Sequence, residues 1–149
     1  MKKIVKACIL LLLMIPTVMA FSQSRLGVSY LKIDEEFVVD SVTCFDKQFE
    51  KNVEYGYHLF TKMSYGTVCF YLDENLICYE CLYKPYNDAV LQAAVEWYNS
   101  LENASREGNT WKVKNTEDGS MFKIEMLDDM HDKKTNVQIK YFRFSYLKN

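Results

Sequence analysis

Residues 67–83 read Thr67-Val68-Cys69-Phe70-Tyr71-Leu72-Asp73-Glu74-Asn75-Leu76-Ile77-Cys78-Tyr79-Glu80-Cys81-Leu82-Tyr83. Two runs rich in β-branched and aromatic residues, 67–72 and 76–83, flank the polar segment 73–75. Such runs favour strands, and a short polar connection between them is typical of a β-hairpin. The segment therefore predicts an antiparallel hairpin, around which the rest of the fold is built.

Helices are predicted on both sides of this hairpin. Residues 88–101 have a broad apolar face at helical spacing, and Asn87 is a suitable N-cap. Residues 34–50 also carry apolar side chains every three or four positions, which predicts a helix nearer the N-terminus. The β-branched residues Val38, Val39 and Val42 favour a strand instead, so the second prediction combines conflicting signals.

Further strands are predicted at 54–63, 110–114, 121–127 and 136–147, from alternating or β-rich patterns. In the last of these the alternation slips, which predicts a β-bulge or bend near 140–143. The predicted fold class is α+β, with two layers. An antiparallel sheet of five or six strands has one long helix packed on one face, accompanied by a second, N-terminal helix.

The N-terminus has the pattern of an export signal. Lys2, Lys3 and Lys6 precede an apolar run that ends in Val18-Met19-Ala20, and this run is too short to span a bilayer. We predict a signal peptide over residues 1–20 and a single domain over 21–149, periplasmic or secreted from a bacterium. Cys8 lies at the start of the apolar run, where it cannot serve as a lipoprotein cysteine, so we expect no membrane anchor.

The charge balance limits the classes of partner. The 149-residue chain has a net charge of −2, and the predicted mature part is more acidic because the signal carries basic residues and no acidic ones. Nucleic acid and anionic lipid surfaces attract clustered basic residues. The chain is therefore not expected to bind nucleic acid.

Four cysteines remain after the predicted signal, namely Cys44, Cys69, Cys78 and Cys81. An even number of cysteines in an exported chain favours disulfides, and the hairpin predicts Cys69–Cys81 or Cys69–Cys78. Strand alternation places Cys78 and Cys81 on opposite faces, so they are not expected to bridge each other. The alternative is that all four are small, buried thiols. The CxxC spacing is weak evidence for redox or zinc chemistry, because it lies inside a strand and has no second ligand pair.

No catalytic or cofactor signature is present in the sequence. His58 is predicted to lie at the rim of a strand, and no serine sits in a nucleophile elbow. The acidic loop Asp128, Asp129, His131 and Asp132 lacks the spacing of a calcium site and reads as a solvated turn. If this loop has a role, we expect it to contact a partner. No cofactor is predicted for the chain.

The predicted function is binding without catalysis. A soluble exported domain of this kind could interact with another protein, for example as an immunity or inhibitor-type protein that occludes a basic toxin. The eleven tyrosines are mostly expected to pack at strand positions. If some are exposed, a carbohydrate-binding module is the alternative, and an enzyme of unknown type is a third possibility.

Two segments also resemble known proteins. Phe21-Ser22-Gln23 after the apolar run is similar to export signals of Bacteroidota, and residues 65–78 resemble a hairpin of small exported proteins from that phylum. In those proteins the hairpin precedes a helix and then an Asn-Thr-Trp strand, matched here by Asn109-Thr110-Trp111. The resemblance implies the fold and the export address, and it implies no site residues.

Overall fold

The computed structural model describes residues 25–54, 56–128 and 140–147. The predicted signal peptide lies outside them. The elements, in chain order, are α1 (Tyr30–Glu36), β1 (Cys44–Asn52), β2 (Gly56–Met63), β3 (Gly66–Leu72), β4 (Cys78–Pro85), α2 (Asp88–Asn99), β5 (Ala104–Glu107), β6 (Thr110–Lys114), β7 (Met121–Asp128) and β8 (Lys140–Tyr146). None of the helices in the described ranges is long and apolar enough to cross a membrane.

The strands form one antiparallel sheet in the order β1-β2-β3-β4-β8-β7-β6-β5. Each helix is followed by four strands, and the last strands of the two sets, β4 and β8, pair at the centre of the sheet. The α+β class is confirmed in broad terms. The prediction of five or six strands and one long helix is wrong, because the described residues form a sheet of eight strands and α2 has only 12 residues.

The largest correction concerns residues 34–50, which were predicted as a helix. Helix α1 ends at Glu36, and β1 begins at Cys44. Between them the Asp40 carboxylate accepts hydrogen bonds from the backbone N–H groups of Val42, Thr43 and Cys44, at 2.8, 2.7 and 3.1 Å. These hydrogen bonds from Thr43, Val42 and Cys44 lower the pKa of Asp40 to about 2. The carboxylate closes a turn that separates helix from strand, as aspartate side chains commonly do.

The hairpin and the second helix agree with the prediction. Strands β3 and β4 pair from Gly66↔Pro85 onwards. The side chain of Asn87 accepts a hydrogen bond from the N–H of Val90 at 3.0 Å, which satisfies one of the open donors of the first helical turn. The β-bulge predicted near 140–143 is not found in the described part of that strand, because β8 pairs with β7 in continuous register from Lys140 to Tyr146. Residues 136–139 of the predicted strand lie outside the described residues.

The core lies on one side of the sheet, called the inner face here. A row of buried residues crosses the strands on this face in register, namely Leu59, Phe70, Cys81, Phe144, Ile124 and Trp111. Helix α2 packs on it through Tyr98, whose ring lies 5.0 Å from that of Phe142. Just after α1, the ring of Phe37 lies 5.2 Å from that of Phe70. Both helices therefore cover the inner face.

Candidate binding cleft

The opposite side of the sheet, the outer face, contains a cleft of about 460 Å³. Its walls come from strands β1 to β4 and β8, because alternate residues of a strand point to the same face. We call it the outer cleft. It is lined by Asn52, His58, Phe60, Thr67, Cys69, Tyr71, Leu82, Lys84 and Tyr141.

The centre of the outer cleft is apolar. Phe60 lies opposite Cys69, and Cys69 lies opposite Leu82, so one cross-strand row forms the floor. Phe60 is 39% exposed, which is high for a phenylalanine in a paired strand. The volume and the apolar lining match those of sites that hold small molecules or single side chains of a partner.

Polar groups surround this floor. His58 Nε2 lies 3.4 Å from Glu50 Oε2, across the β1–β2 pair. Its Nδ1 atom is buried and has no hydrogen-bond partner among the described residues. On the next strand the ring of Tyr71 lies 6.2 Å from the His58 ring, tilted by 38°. The centroid of the Tyr79 ring lies 6.4 Å from that of Tyr71, and the two ring planes are tilted by 50°. The three neighbouring rings therefore do not lie in one plane.

Cys69 and His58 are separated in sequence, and the sheet brings both to the wall of the outer cleft. A cysteine nucleophile needs a thiolate, which requires a lowered pKa. Burial instead raises the pKa of Cys69 to about 11, and the side-chain hydrogen bond with Tyr71 only partly opposes this. Burial likewise raises the pKa of Tyr71 to about 12. With these pKa values, both groups are neutral near pH 7.

On the β7–β8 side, the outer face carries paired charges. Glu125 Oε2 accepts hydrogen bonds from Arg143 Nε and Nη2 at 3.0 and 2.8 Å. Lys123 Nζ lies 3.1 Å from Glu125 Oε1. Burial acts to raise the pKa of Glu125, but the hydrogen bonds from Arg143 and Lys123 outweigh it and lower the pKa overall. The cleft is thus the apolar part of a face whose β7–β8 side is occupied by ion pairs.

The predicted partner loop is only partly described. Asp128 ends β7, and its Oδ1 atom lies 3.9 Å from Lys140 Nζ. Asp129, His131 and Asp132 lie outside the described residues. The described residues contain no group of three or more His, Cys, Asp or Glu side chains able to hold a metal ion.

Of the two alternatives predicted for the cysteines, the structure has the thiols and not the disulfides. All four are thiols in the structure. Cys69 faces the outer cleft, opposite Leu82, whereas Cys78 and Cys81 are buried on the inner face. The predicted pairing of Cys69 with either of them is therefore not favoured by this geometry. Cys44 is buried at the start of β1, and its thiol donates to the Asp46 carbonyl at 3.5 Å.

The statement that Cys78 and Cys81 face opposite ways is wrong. Tyr71 pairs with Glu80, but the next residue, Leu72, pairs with Cys78, so Tyr79 is an extra residue in β4. This β-bulge reverses the alternation and turns both cysteines inward. Their sulfur atoms are 3.5 Å apart.

The outer cleft as a unit was not predicted from the sequence. Phe60 and Leu82 lie on two different predicted strands. The alternation of side chains along each strand is the signal that could have placed both residues on the same face of the sheet. Tyr141 could not be assigned in this way, because its neighbour β4 is distant in sequence. No protein-family model matches the chain, and no match was found among curated proteins or among solved structures. The resemblance to exported Bacteroidota proteins stays a prediction.

Proposed function

We propose that the chain is an exported, non-catalytic binding protein whose outer cleft receives an apolar side chain of a protein partner. One observation carries this proposal. An apolar floor made by Phe60, Cys69 and Leu82 is ringed by polar groups, on a sheet face that neither described helix covers. Protein interfaces have the same arrangement, with an aromatic and aliphatic centre and a polar rim.

A protein partner is favoured over a glycan by the ring geometry. Sugars stack on aromatic rings that share a plane, whereas the neighbouring His58, Tyr71 and Tyr79 rings are tilted by 38° and 50°. Trp111 is fully buried, so it is not a stacking surface. The acidic balance of the chain favours a basic partner, as expected for an immunity or inhibitor-type protein.

An enzyme is the second candidate, because Cys69 and His58 line one cleft and His58 contacts Glu50. A thiol, an imidazole and a carboxylate are the parts of a cysteine hydrolase. The raised pKa of Cys69 is evidence against it. Rapid alkylation of Cys69 by iodoacetamide at pH 7 would favour the enzyme, and slow alkylation is expected for the binding protein.

The test uses two variants that each add one negative charge. Phe60→Asp places the charge on the floor of the cleft, and Gln92→Asp places it on the exposed side of α2, in the opposite layer. Tagged protein is used to capture partners from its own cells, with circular dichroism to confirm that both variants fold. The captured protein is then purified, and its affinity for each form is measured by calorimetry.

We expect wild type and Gln92→Asp to bind the same stoichiometric protein, and Phe60→Asp to lose it. A bound partner should also slow amide exchange in β2, β3 and β4. Equal binding by both variants would overturn the assignment to the outer cleft. Retention on a glycan array that is lost in Phe60→Asp would replace the protein partner by a carbohydrate.

A further inference from the structure

The β-bulge at Tyr79 brings two buried thiols together. Cys78 and Cys81 are 1% and 0% exposed, and both point into the inner face. Their sulfur atoms are 3.5 Å apart. A disulfide requires about 2.05 Å, so the two sulfur atoms need to approach by about 1.5 Å in total.

In the folded chain the other two described cysteines lie apart from this pair. Cys69 is on the outer face of the sheet, and Cys44 begins β1, where its thiol donates to the Asp46 carbonyl. We therefore propose that Cys78 and Cys81 are the site of an intrachain disulfide that forms across the β-bulge of β4. The proposal rests on this geometry alone and is independent of what occupies the outer cleft.

The bond forms by thiol–disulfide exchange. The thiolate of one cysteine attacks a small disulfide R–S–S–R, releases one R–S⁻ and leaves a mixed disulfide. The thiolate of the other cysteine then displaces the second R–S⁻, which takes up a proton. The protein loses two protons and two electrons, and R–S–S–R is reduced to two R–SH. The oxidant is a low-molecular-weight disulfide or an oxidised dithiol oxidoreductase, as exported proteins encounter.

Exchange is expected before this region packs. Burial raises the pKa of the Cys81 thiol, so the thiolate is scarce in the folded protein. The backbone beside Cys78 is also covered, because Gly27 N–H donates to the Cys78 carbonyl at 2.7 Å and Cys78 N–H donates to the Val28 carbonyl at 2.9 Å. The disulfide is therefore assigned to the folding chain rather than to the finished fold.

The bulge has a structural role that the disulfide would preserve. Before it, the strand bonds to the N-terminal segment at Gly27 and Val28, and after it β4 pairs with β8 from Glu80 onwards. At the bulge, the edge of β4 that faces away from β3 passes from the N-terminal segment to β8. A covalent link from Cys78 to Cys81 holds the two parts of the strand at the bend.

The test is a refolding experiment with mass-spectrometric mapping. The whole chain is unfolded and reduced, then refolded in a mixture of reduced and oxidised glutathione. Remaining thiols are alkylated in denaturant, and the digested peptides are analysed. We expect the peptide containing Cys78 and Cys81 to carry an internal disulfide, with Cys44 and Cys69 alkylated. The Cys69→Ser variant should give the same bridge, and Cys81→Ser should leave Cys78 alkylated.

Two results would overturn the proposal. One is complete alkylation of Cys78 and Cys81 in the wild-type protein after refolding. The other is a bridge that joins either of them to Cys69 or Cys44. Because the wild-type chain decides both, the test does not depend on whether the serine variants fold.

Discussion

The hydroxyl of Tyr98 gives a prediction that runs against the usual effect of changing a buried residue. Tyr98 lies on α2, is fully buried and packs its ring on those of Phe142, Trp111 and Phe144, at 5.0, 5.6 and 6.0 Å. Its hydroxyl oxygen is buried without a hydrogen-bond partner among the described residues. Replacing Tyr98 by Phe keeps every ring contact and removes only this oxygen. The variant should be more stable than the wild type.

The magnitude follows from the cost of burying a hydroxyl. A buried polar group without a partner costs about 1–3 kcal/mol in protein mutational data. Removing the oxygen forfeits a few dispersion contacts of about 0.1–0.2 kcal/mol each. The net expectation is a gain of about 1 kcal/mol, which raises the unfolding midpoint by about 4 °C in a chain of this size. Burial also raises the pKa of Tyr98, as expected for a phenol away from water.

Tyr83→Phe is the matched control. Tyr83 is also buried in the core, but its hydroxyl donates to the Tyr65 carbonyl at 3.3 Å. Removing this hydroxyl should lower the free energy of unfolding by about 1 kcal/mol. Urea and thermal unfolding, followed by far-UV circular dichroism, would give both values. A loss of more than 1 kcal/mol for Tyr98→Phe would refute the reasoning, because it would mean that the hydroxyl makes a stabilising hydrogen bond.

Three further predictions concern single contacts. Asn87→Ala removes the acceptor for the Val90 N–H and should lower the free energy of unfolding by about 1 kcal/mol; an unchanged urea midpoint would contradict the cap. Asn99 Oδ1 accepts a hydrogen bond from Trp111 Nε1 at 3.0 Å, so Asn99→Ala should lower the free energy of unfolding by about 1–3 kcal/mol. An unchanged midpoint of thermal unfolding would show that this indole needs no acceptor. Burial raises the pKa of Cys69 from 9.0 to about 11, so the unfolded chain ionises first and stability should decline from pH 9 to 11. Urea titrations across this range should show a smaller decline in Cys69→Ser, and equal declines would exclude Cys69 as a cause.

Local pattern was sufficient for several elements of the fold. The segment 67–83 forms the β3–β4 hairpin, 110–114 forms β6, and Asn87 caps α2. In each case the sequence pattern and the structure that it predicts lie in the same short stretch of the chain. Strand alternation, turn polarity and capping are local properties, so they can be read without knowing the rest of the fold.

Local pattern failed where distant parts of the chain compete. Residues 44–50 were predicted within a helix, yet they belong to β1, because the Asp40 turn ends the helical run and β2 supplies a full ladder of pairs. Helical spacing of apolar residues does not exclude a strand when a neighbouring strand offers its backbone groups. The order of the sheet likewise depends on β4 and β8 meeting, although they are distant in sequence.

The sequence by itself determined the hairpin and the capped helix. The tertiary structure alone decided which side chains meet. The bulge at Tyr79 turned Cys78 and Cys81 to the same face, and the pairing of β4 with β8 put Tyr141 at the outer cleft. One extra residue in a ladder reverses the direction of every side chain beyond it. Register is settled by pairing between strands, so no property of a single strand could have predicted it.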